Sequence, residues 1–363
     1  MRVIVLGGAG NFGARIVRAL GGDRNIELLS AGRRALAVPG APQVTTVALD
    51  IAADDFPARL AALAPHLVIH CVGPFQGQDY RVAEAALAAG AHYLDLADGR
   101  DFVADFARHN DAKARAAGRC AVSGASTLPA LSAAVLDELC NGLQPRQIDI
   151  CIAPGQKAPR GAATLAAVFS YLGSAVSVWE EGGWRARTGW MDLRRVRLDF
   201  ATRWAALCDV PDLALLPARY PGLRSARFHA ALEFGIEHFA LWLLAACRRI
   251  GPPLPVRRWA IAMNGMAGWL DARGGEWGGM RVSVLGVRGD GRRVRRNWLL
   301  TTPAVEGPEI PCMAAILLAR RIAAGEAPPP PGAAACAGFL RLDEFAPLFA
   351  QWNMRIRIEE SLA

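Results

Sequence analysis

Lysine is almost missing from this 363-residue sequence, in which Lys113 and Lys157 are the two lysines. Arginine therefore carries nearly all of the positive charge, and the formal net charge is +8. Acidic residues are spread among the arginines, and the sequence has no basic block with interleaved aromatic residues. Because nucleic-acid-binding surfaces need clustered basic charge, we expect no nucleic-acid partner.

Paired cysteines and long apolar runs are also lacking. The eight cysteines include no Cys-x-x-Cys pair, so we expect neither a metal site nor a disulfide framework, and we expect a cytoplasmic location. Met1 leads within two residues into an apolar strand pattern, without the basic segment and apolar run of a signal peptide. The most apolar later stretch, 239–247, is too short to span a bilayer.

A glycine-rich motif follows directly after the apolar run Val3–Leu6 and precedes a helical pattern of apolar residues. Its Gly-x-Gly-x-x-Gly spacing allows a tight turn, a close approach of the backbone to a pyrophosphate, and packing of the helix on the strand. The start of the helix adds N–H groups that attract phosphate. The sequence therefore predicts a Rossmann-type dinucleotide domain over residues 1–130, whose cofactor-binding loop contains Gly8, Gly10, Asn11, Phe12 and Gly13.

The end of the second predicted strand indicates which dinucleotide is bound. A NAD-binding domain usually carries an acidic residue there for the ribose 2′-hydroxyl, whereas this sequence has Arg33 and Arg34. Guanidinium groups can hold a 2′-phosphate, so NADP is the predicted cofactor; two solvated loop arginines are the alternative. Asp50, after the third strand, is a candidate partner for the adenine amino group, although Asp in this position is also common in turns.

The fourth predicted strand, 67–72, ends in Gly73, Pro74 and Phe75, at the edge of the sheet where ligands bind. We expect the backbone of these three residues to place the nicotinamide. His66 and His70 have no third ligand near them in the sequence, so we interpret His70 as a packed core residue.

Candidate proton donors follow the fifth and sixth strands: Tyr93, Asp95, Asp98, Ser123 and Ser126. Serine at a strand end is usually a helix cap, and Asp95 could be structural. We predict Asp98 and Tyr93 as the catalytic residues. The Tyr-x-x-x-Lys pair of short-chain dehydrogenases does not occur.

The sequence resembles the saccharopine dehydrogenase-like NADP-binding oxidoreductases. The segments that carry the resemblance are VIVLGGAGNFG (3–13), VGPFQGQDYRVAEAALAAGAHYLDLADG (72–99), SGASTLPALSAAVLDEL (123–139), TTPAVEGPEIPCMAA (301–315) and PPPPGAAACAGFLRLDEF (328–345). The resemblance implies an α/β fold, in which a Rossmann doubly wound parallel sheet is followed by a second α+β domain with a mainly antiparallel sheet. It also implies that residues 305–363 return to the first domain and that substrate binds between the domains.

One position departs from the family pattern. Family members commonly have a glycine–glutamate step after the Tyr-x-Asp-Leu strand, where this sequence has Asp98-Gly99. The missing glutamate argues against an amino-acid substrate such as saccharopine. We therefore carry over the reaction class and leave the named reaction aside.

The second domain, predicted over residues 131–304, differs in composition because nine of the ten tryptophans lie between Trp179 and Trp298. A hairpin is predicted from 281–287 and 293–301, with further strands at 147–153, 227–234 and 258–263 and a helix near 234–244. Sheets of this kind often pair across a two-fold axis, so a homodimer is expected. The tryptophans either line an apolar cleft or pack in the core or a dimer interface.

Three functions are compatible with the sequence. The leading hypothesis is an NADP(H)-dependent oxidoreductase that transfers hydride to or from a C–N, C=O or C=C bond of a small or lipid-like substrate. The alternative from another class is a non-catalytic NADP(H) sensor whose second domain binds a partner, since no acid/base pair is obvious. A membrane-surface enzyme is the least favoured, because only the apolar stretch 239–247 and the surplus arginines suggest it.

Overall fold

The computed structural model describes residues 1–159, 161–251, 268, 270–326 and 328–363. The chain divides into two compact units. The first unit comprises Met1–Ala134 and Pro308–Phe345, and the second comprises Val135–Gly307 and Ala346–Ala363. Among the described residues, no helix combines the length and the apolarity needed to cross a membrane.

The first unit contains a seven-stranded sheet in which every strand pair is parallel. With strands numbered along the chain, the order is β15-β6-β5-β4-β1-β2-β3. The strands are β1 (Arg2–Leu6), β2 (Glu27–Gly32), β3 (Thr45–Ala48), β4 (Leu67–His70), β5 (His92–Asp95), β6 (Cys120–Ser123) and β15 (Gly332–Ala335). The order 3-2-1-4-5-6 is that of the Rossmann fold, so this prediction is confirmed.

Helices precede or connect most of these parallel strands, whereas β2 and β3 are joined by residues 33–44 without a helix. They are α1 (Gly13–Leu20), α2 (Phe56–Ala62), α3 (Arg81–Ala88), α4 (Arg100–Ala116) and, from the later segment, α9 (Ile310–Ala324). In α1 the buried residues are Gly13, Ile16, Val17 and Leu20, which share one helix face. Strands β4 and β6 are buried along their whole length, as expected for a sheet covered on both sides.

The second unit contains a nine-stranded, mixed sheet with the main order β10-β11-β12-β7-β13-β14-β16, while β8 pairs with β12 and β9 with β8. Its strands are β7 (Leu143–Ala153), β8 (Ala175–Glu180), β9 (Gly183–Thr188), β10 (Arg194–Arg197), β11 (Thr202–Leu207), β12 (Ser225–Ala230), β13 (Trp277–Arg288), β14 (Arg293–Pro303) and β16 (Arg355–Leu362). The β12–β7 pair is parallel and the other pairs are antiparallel. The predicted mainly antiparallel sheet is confirmed.

The helices of the second unit and of the unit boundaries are α5 (Ser132–Cys140), α6 (Ala162–Tyr171), α7 (Asp212–Arg219), α8 (Gly235–Ile250) and α10 (Leu342–Gln351). The predicted hairpin is present as β13 and β14, and the predicted helix near 234–244 is α8. The strand predicted at 227–234 ends at Ala230. The strand predicted at 258–263 lies outside the described residues.

The C-terminal region divides differently from our expectation that all of 305–363 joins the first unit. Pro308–Phe345 does so, and β15 adds a seventh strand beside β6. The last strand, β16, instead pairs with β14 over eight residue pairs from Val294↔Leu362 to Thr301↔Arg355. Backbone hydrogen bonding to this long hairpin places the end of the chain in the second sheet.

The tryptophans of the second unit occupy two kinds of environment. Trp190 and Trp298 are fully buried, and Trp298 packs against Phe349 with ring centroids 6.4 Å apart. Trp184 and Trp204 are exposed. The interpretation of the tryptophans as core residues is therefore correct for Trp190 and Trp298.

Candidate functional site

The glycine loop begins with a residue that the motif itself does not include. Gly7, directly after β1, has φ +78°, a left-handed conformation that favours glycine. Its N–H donates to the Ala31 carbonyl oxygen at 2.7 Å, which fixes the start of the loop against β2. Gly7 is therefore the residue that makes the tight turn, a role that we had assigned to Gly8.

Gly8 and Gly13 are glycines because neither has room for a side chain. A Cβ at Gly8 would lie 2.3 Å from Ser30 Oγ, and one at Gly13 would lie 2.2 Å from the Gly7 carbonyl oxygen. Both distances are far inside van der Waals contact. Gly8 thus lets the loop lie on β2, and Gly13 lets α1 lie on the loop.

Gly10 differs from these two because it is exposed and less tightly packed. A Cβ there would meet only the Gly7 carbonyl oxygen, at 3.0 Å, and the residue is exposed. The loop closes through a hydrogen bond from the Gly10 N–H to the same oxygen at 2.8 Å. The backbone of Gly10 is thus exposed next to the first turn of α1, where the N–H groups of Ala14, Arg15 and Ile16 donate to the carbonyl oxygens of Gly10 and Phe12.

The glycine loop is also supported by Pro308–Phe345, the later segment of the chain that belongs to the first unit. The Arg15 guanidinium donates to both oxygens of Asn11 and its Nε lies 2.9 Å from Glu309 Oε1. Both charged side chains are almost buried, with 12% and 9% of their surface exposed. The Cys312 thiol, on α9, lies 3.5 Å from the Phe12 carbonyl oxygen. The conformation of Asn11 and Phe12 thus depends on residues three hundred positions away.

Arg33 and Arg34 lie just beyond the end of β2, and both are exposed. Neither side chain has a hydrogen bond or ion pair with any residue that the structure describes. Asp50 lies near the same edge, since Gly32 pairs with Ala48 in the sheet. Its Oδ1 accepts a hydrogen bond from the Ala52 N–H at 3.0 Å, which is the turn interaction that we had named as the alternative.

The segment after β4 lies against the glycine loop, because a Cβ at Gly7 would meet Val72 Cγ2 at 3.0 Å. The Gly73–Pro74 peptide is cis. The Gln78 amide fixes the shape of this segment by donating to the carbonyl oxygens of Val72 at 2.8 Å and Pro74 at 2.7 Å. The Phe75 ring is buried against His70, with ring centroids 5.0 Å apart.

Asp98 is connected to this segment through Gln76, whose amide donates to Asp98 Oδ1 at 3.3 Å. Gly99 packs on the same stretch, since a Cβ there would lie 3.2 Å from the Phe75 carbonyl group. The Asp98 side chain is exposed, yet desolvation by the surrounding protein raises its pKa, partly offset by the Gln76 hydrogen bond. A raised pKa keeps a carboxyl group protonated, and so available as a general acid, to higher pH than an ordinary aspartate.

Tyr93 has a different environment from the one that we predicted. Its side chain is fully buried, stacks on Phe106 at 5.7 Å, and its hydroxyl lies 3.1 Å from His70 Nδ1. Burial and the neighbouring Asp95 raise the pKa of Tyr93 well above its ordinary value. Because a fully buried hydroxyl cannot reach a substrate, we withdraw Tyr93 as a catalytic candidate.

Asp95 is a structural anchor at the end of β5. It accepts hydrogen bonds from the Gly124 N–H at 2.7 Å, the Ala97 N–H at 3.0 Å and the Ser123 hydroxyl at 3.0 Å. Burial nevertheless raises its pKa to about 6, against the effect of these bonds. Burial also lowers the pKa of the nearby His70 to about 3, which fits the predicted role of His70 as a core residue.

Sequence reasoning missed several residues that shape this site: Gly7, Arg15, Gln76, Gln78 and Glu309. Only Gly7 had a local signal, as a glycine directly after a buried strand. Gln78 acts within its own segment, whereas Arg15, Gln76 and Glu309 act through contacts that join separate segments. Within the described parts of the chain, no group of three or more His, Cys, Asp or Glu side chains is placed to hold a metal ion.

Comparison with known proteins gives one family and a common fold. Residues 3–122 match the family described as the saccharopine dehydrogenase NADP-binding domain. A search of curated proteins finds no match. Among solved structures, the chain is similar to apo saccharopine dehydrogenase (L-Glu forming) from Saccharomyces cerevisiae, with 10% identity, 99% of each chain covered and a TM-score of 0.70.

A second similar structure is the homospermidine synthase of Legionella pneumophila in complex with NAD. It shares 11% identity, covers 99% of this chain and 91% of its own, and has a TM-score of 0.62. At such identities the likeness concerns the fold, which extends over both units of this chain. The predicted resemblance is confirmed by the match of residues 3–122 to the saccharopine dehydrogenase NADP-binding domain family.

Proposed function

We propose that this protein is an NADP(H)-dependent oxidoreductase that transfers hydride to or from a C–N, C=O or C=C bond of a small or lipid-like substrate. The observation that carries the proposal is the glycine loop. Gly8 and Gly13 are packed so closely that the backbone of 7–13 has a fixed shape, with exposed backbone at Gly10. A loop of this kind before a helix is suited to a pyrophosphate.

The preference for NADP over NAD rests on the end of β2. Arg33 and Arg34 are two exposed guanidinium groups, and no carboxylate stands in the usual position to accept the ribose 2′-hydroxyl. Asp50 is engaged in its own turn, so its contact with an adenine remains a secondary part of the proposal. NADPH, when bound, supplies the hydride; the protein's residues supply binding, orientation and a proton.

We assign the proton transfer to Asp98. It is the exposed carboxyl group tied to the 73–76 segment, where Gly73, Pro74 and Phe75 are proposed to place the nicotinamide. Its raised pKa lets it remain protonated to higher pH than an ordinary aspartate, as a general acid for carbonyl or imine reduction requires.

The test is NADPH oxidation, followed by absorbance, over a panel of ketones, imines and enones. Wild type should oxidise NADPH with at least one substrate class, whereas Asp98→Asn should lose about a hundredfold or more in kcat, the usual size of an acid–base contribution. NADPH affinity should not change in the variant. Asp101→Asn, which changes an exposed carboxyl group in the first turn of α4, serves as the control.

The pH profile gives a second readout. Because the proposed acid must be protonated, wild-type kcat for reduction should fall as pH rises above the raised pKa of Asp98. Asp98→Asn should lose this fall. Tight NADPH binding without turnover on any substrate class would instead support the NADP(H) sensor.

A homodimer and a cytoplasmic location remain parts of the proposal, to be tested by light scattering and by fractionation.

A further inference from the structure

A cavity of about 790 Å³ lies within the second unit, and its lining residues all belong to that unit. It forms at one end of the sheet, where β7, β12 and β14 begin and where β8 and β13 end. Its volume falls in the range of small-molecule sites. The glycine loop and the residues of the proposed NADP site take no part in it.

The lining is unusually basic. Five arginines line the cavity, together with two glutamates. The arginines are Arg146, Arg187, Arg224, Arg227 and Arg293. Such a concentration of one sign of charge in a concave space raises the local concentration of anions.

The two glutamates are already engaged. Glu180 is buried and accepts from two of the arginines, with its oxygens 2.5 Å from Arg187 Nη2 and 2.9 Å from Arg227 Nη2. Glu181 faces Arg185, at 3.8 Å. Their charges are therefore matched by arginines on β9 and β12.

Three arginines of the lining remain without a carboxylate partner among the described residues: Arg146, Arg224 and Arg293. The Arg146 Nη1 is fixed by a hydrogen bond to the Gly222 carbonyl oxygen at 3.0 Å. Arg224 and Arg293 are exposed, and no side-chain hydrogen bond involves either of them within the described chain. Three uncompensated cations around one cavity repel each other, and a bound anion would relieve that repulsion.

We propose that this cavity binds a small anion with two adjacent phosphate groups. Guanidinium forks match phosphate oxygens in pairs, so three unpartnered arginines suit a diphosphate better than a single phosphate. The concave shape suits a small molecule better than a macromolecular surface. Val287 and the aliphatic stems of the arginines leave an apolar wall for an organic group attached to the diphosphate.

The experiment is calorimetric titration of inorganic pyrophosphate into the full chain, with NADP⁺ present at saturation so that the proposed dinucleotide site is occupied. Wild type should bind pyrophosphate, and Arg224→Gln and Arg293→Gln should each bind about tenfold more weakly, as expected for the loss of a charge-assisted contact. Arg292→Gln is the matched control. Arg292 is next in the chain to Arg293, is equally exposed and faces Asp290 at 3.7 Å.

Repeating the titration with an alkyl diphosphate distinguishes the two sources of the same chemistry. Tighter binding of the alkyl diphosphate identifies an organic diphosphate as the ligand, and equal affinities identify free pyrophosphate. Arg33→Ala should leave pyrophosphate binding unchanged, which separates this site from the proposed NADP site.

Two results would overturn the proposal. One is the lack of pyrophosphate binding by wild type up to about 1 mM, the limit of weak specific binding. The other is an equal loss of affinity in Arg292→Gln and Arg293→Gln, which would reduce the effect to general surface charge. Because the substituted side chains are exposed, unfolding temperatures should match wild type, and two separate variants protect the test against a folding defect in one.

Discussion

The proposed phosphate site of the first unit and the proposed anion cavity of the second are made from different parts of the chain. The first site is formed by backbone, which can pack closely because Gly8 and Gly13 leave no space for a Cβ. The second site is formed by side chains of arginines such as Arg146 and Arg293, which lie on strands far apart in sequence. The glycines that shape the first site lie within seven residues of one another, although Gly8 packs against Ser30 of β2. The second site is specified by charge and appears only when the sheet has formed.

If steric constraints define the first site, one methyl group should abolish it. Gly13→Ala places a Cβ 2.2 Å from the Gly7 carbonyl oxygen, so either the loop or α1 must move. We expect NADPH affinity to fall about a hundredfold, or about 2.8 kcal/mol, in a calorimetric titration. Pyrophosphate binding in the cavity should not change.

Gly22→Ala is the control for this substitution, because a Cβ there meets no atom within 4 Å. It should bind NADPH as wild type does. Should Gly13→Ala also bind NADPH normally, close packing would not be what shapes the loop. Circular dichroism and the unfolding temperature of both variants show whether the fold is retained.

The ion pair between Arg15 and Glu309 connects the glycine loop of the first site to the start of α9. Glu309→Gln removes one partner of an almost buried pair and leaves the Arg15 charge uncompensated. We expect a loss of about 3 kcal/mol in the free energy of unfolding, measured by urea denaturation, because breaking a buried pair is costly. NADPH affinity should fall as well, since Arg15 holds Asn11.

The surface pair Arg2–Glu27 provides the reference for that value. Its atoms also lie 2.9 Å apart, but 62% of the Glu27 side chain is exposed. Glu27→Gln should therefore cost less than about 1 kcal/mol and leave NADPH affinity unchanged. Equal losses in both variants would show that burial of the Arg15–Glu309 pair has no special role.

A smaller effect concerns the pH dependence of stability around Asp95. Its folded pKa is about 6, raised from 3.8 by burial, so the folded state binds a proton more tightly than the unfolded state. This contribution to stability is present at low pH and is lost as pH rises from about 4 to about 6. The buried, neutral His70, with its pKa lowered to about 3, contributes in the opposite sense over the same range.

The difference between wild type and Asp95→Asn isolates the aspartate. Between pH 4 and pH 6 the stability of the variant should rise relative to wild type by about 2 kcal/mol, which is less than the full effect of the shift because titration is incomplete at both ends of this range. Urea unfolding at several pH values in this range measures it. A constant difference across the range would mean that Asp95 titrates as an ordinary aspartate.

The same contrast explains what could be predicted from the sequence. Six strands of the parallel sheet and the glycine loop follow from local patterns, since a buried strand and a glycine triplet are each recognisable within about ten residues. The seventh strand, β15, was not predicted. Arg33 and Arg34 were proposed in the same way, from their position after β2. Asp98 was proposed from its place after β5.

Contacts between distant segments leave no local pattern in the sequence from which they could be predicted. Arg15 and Glu309 are separated by almost three hundred residues, and neither differs locally from a surface charge. Tyr93 was misjudged for the same reason: its position at a strand end suggested the cleft, whereas its side chain points into the core beside His70 and Phe106. The return of β16 to the second sheet likewise depends on pairing with β14, which a local pattern does not specify.

The most direct test of the account is calorimetric titration of NADPH and NADH into wild type and Arg33→Ala, with Arg24→Ala as an exposed control. We expect wild type to prefer NADPH, and Arg33→Ala to lose most of that preference, by about 1.5–3 kcal/mol for a charge-assisted contact. The control should retain the preference. If neither dinucleotide bound at micromolar concentrations, the glycine loop would be a structural feature only, and the proposed oxidoreductase function would be contradicted.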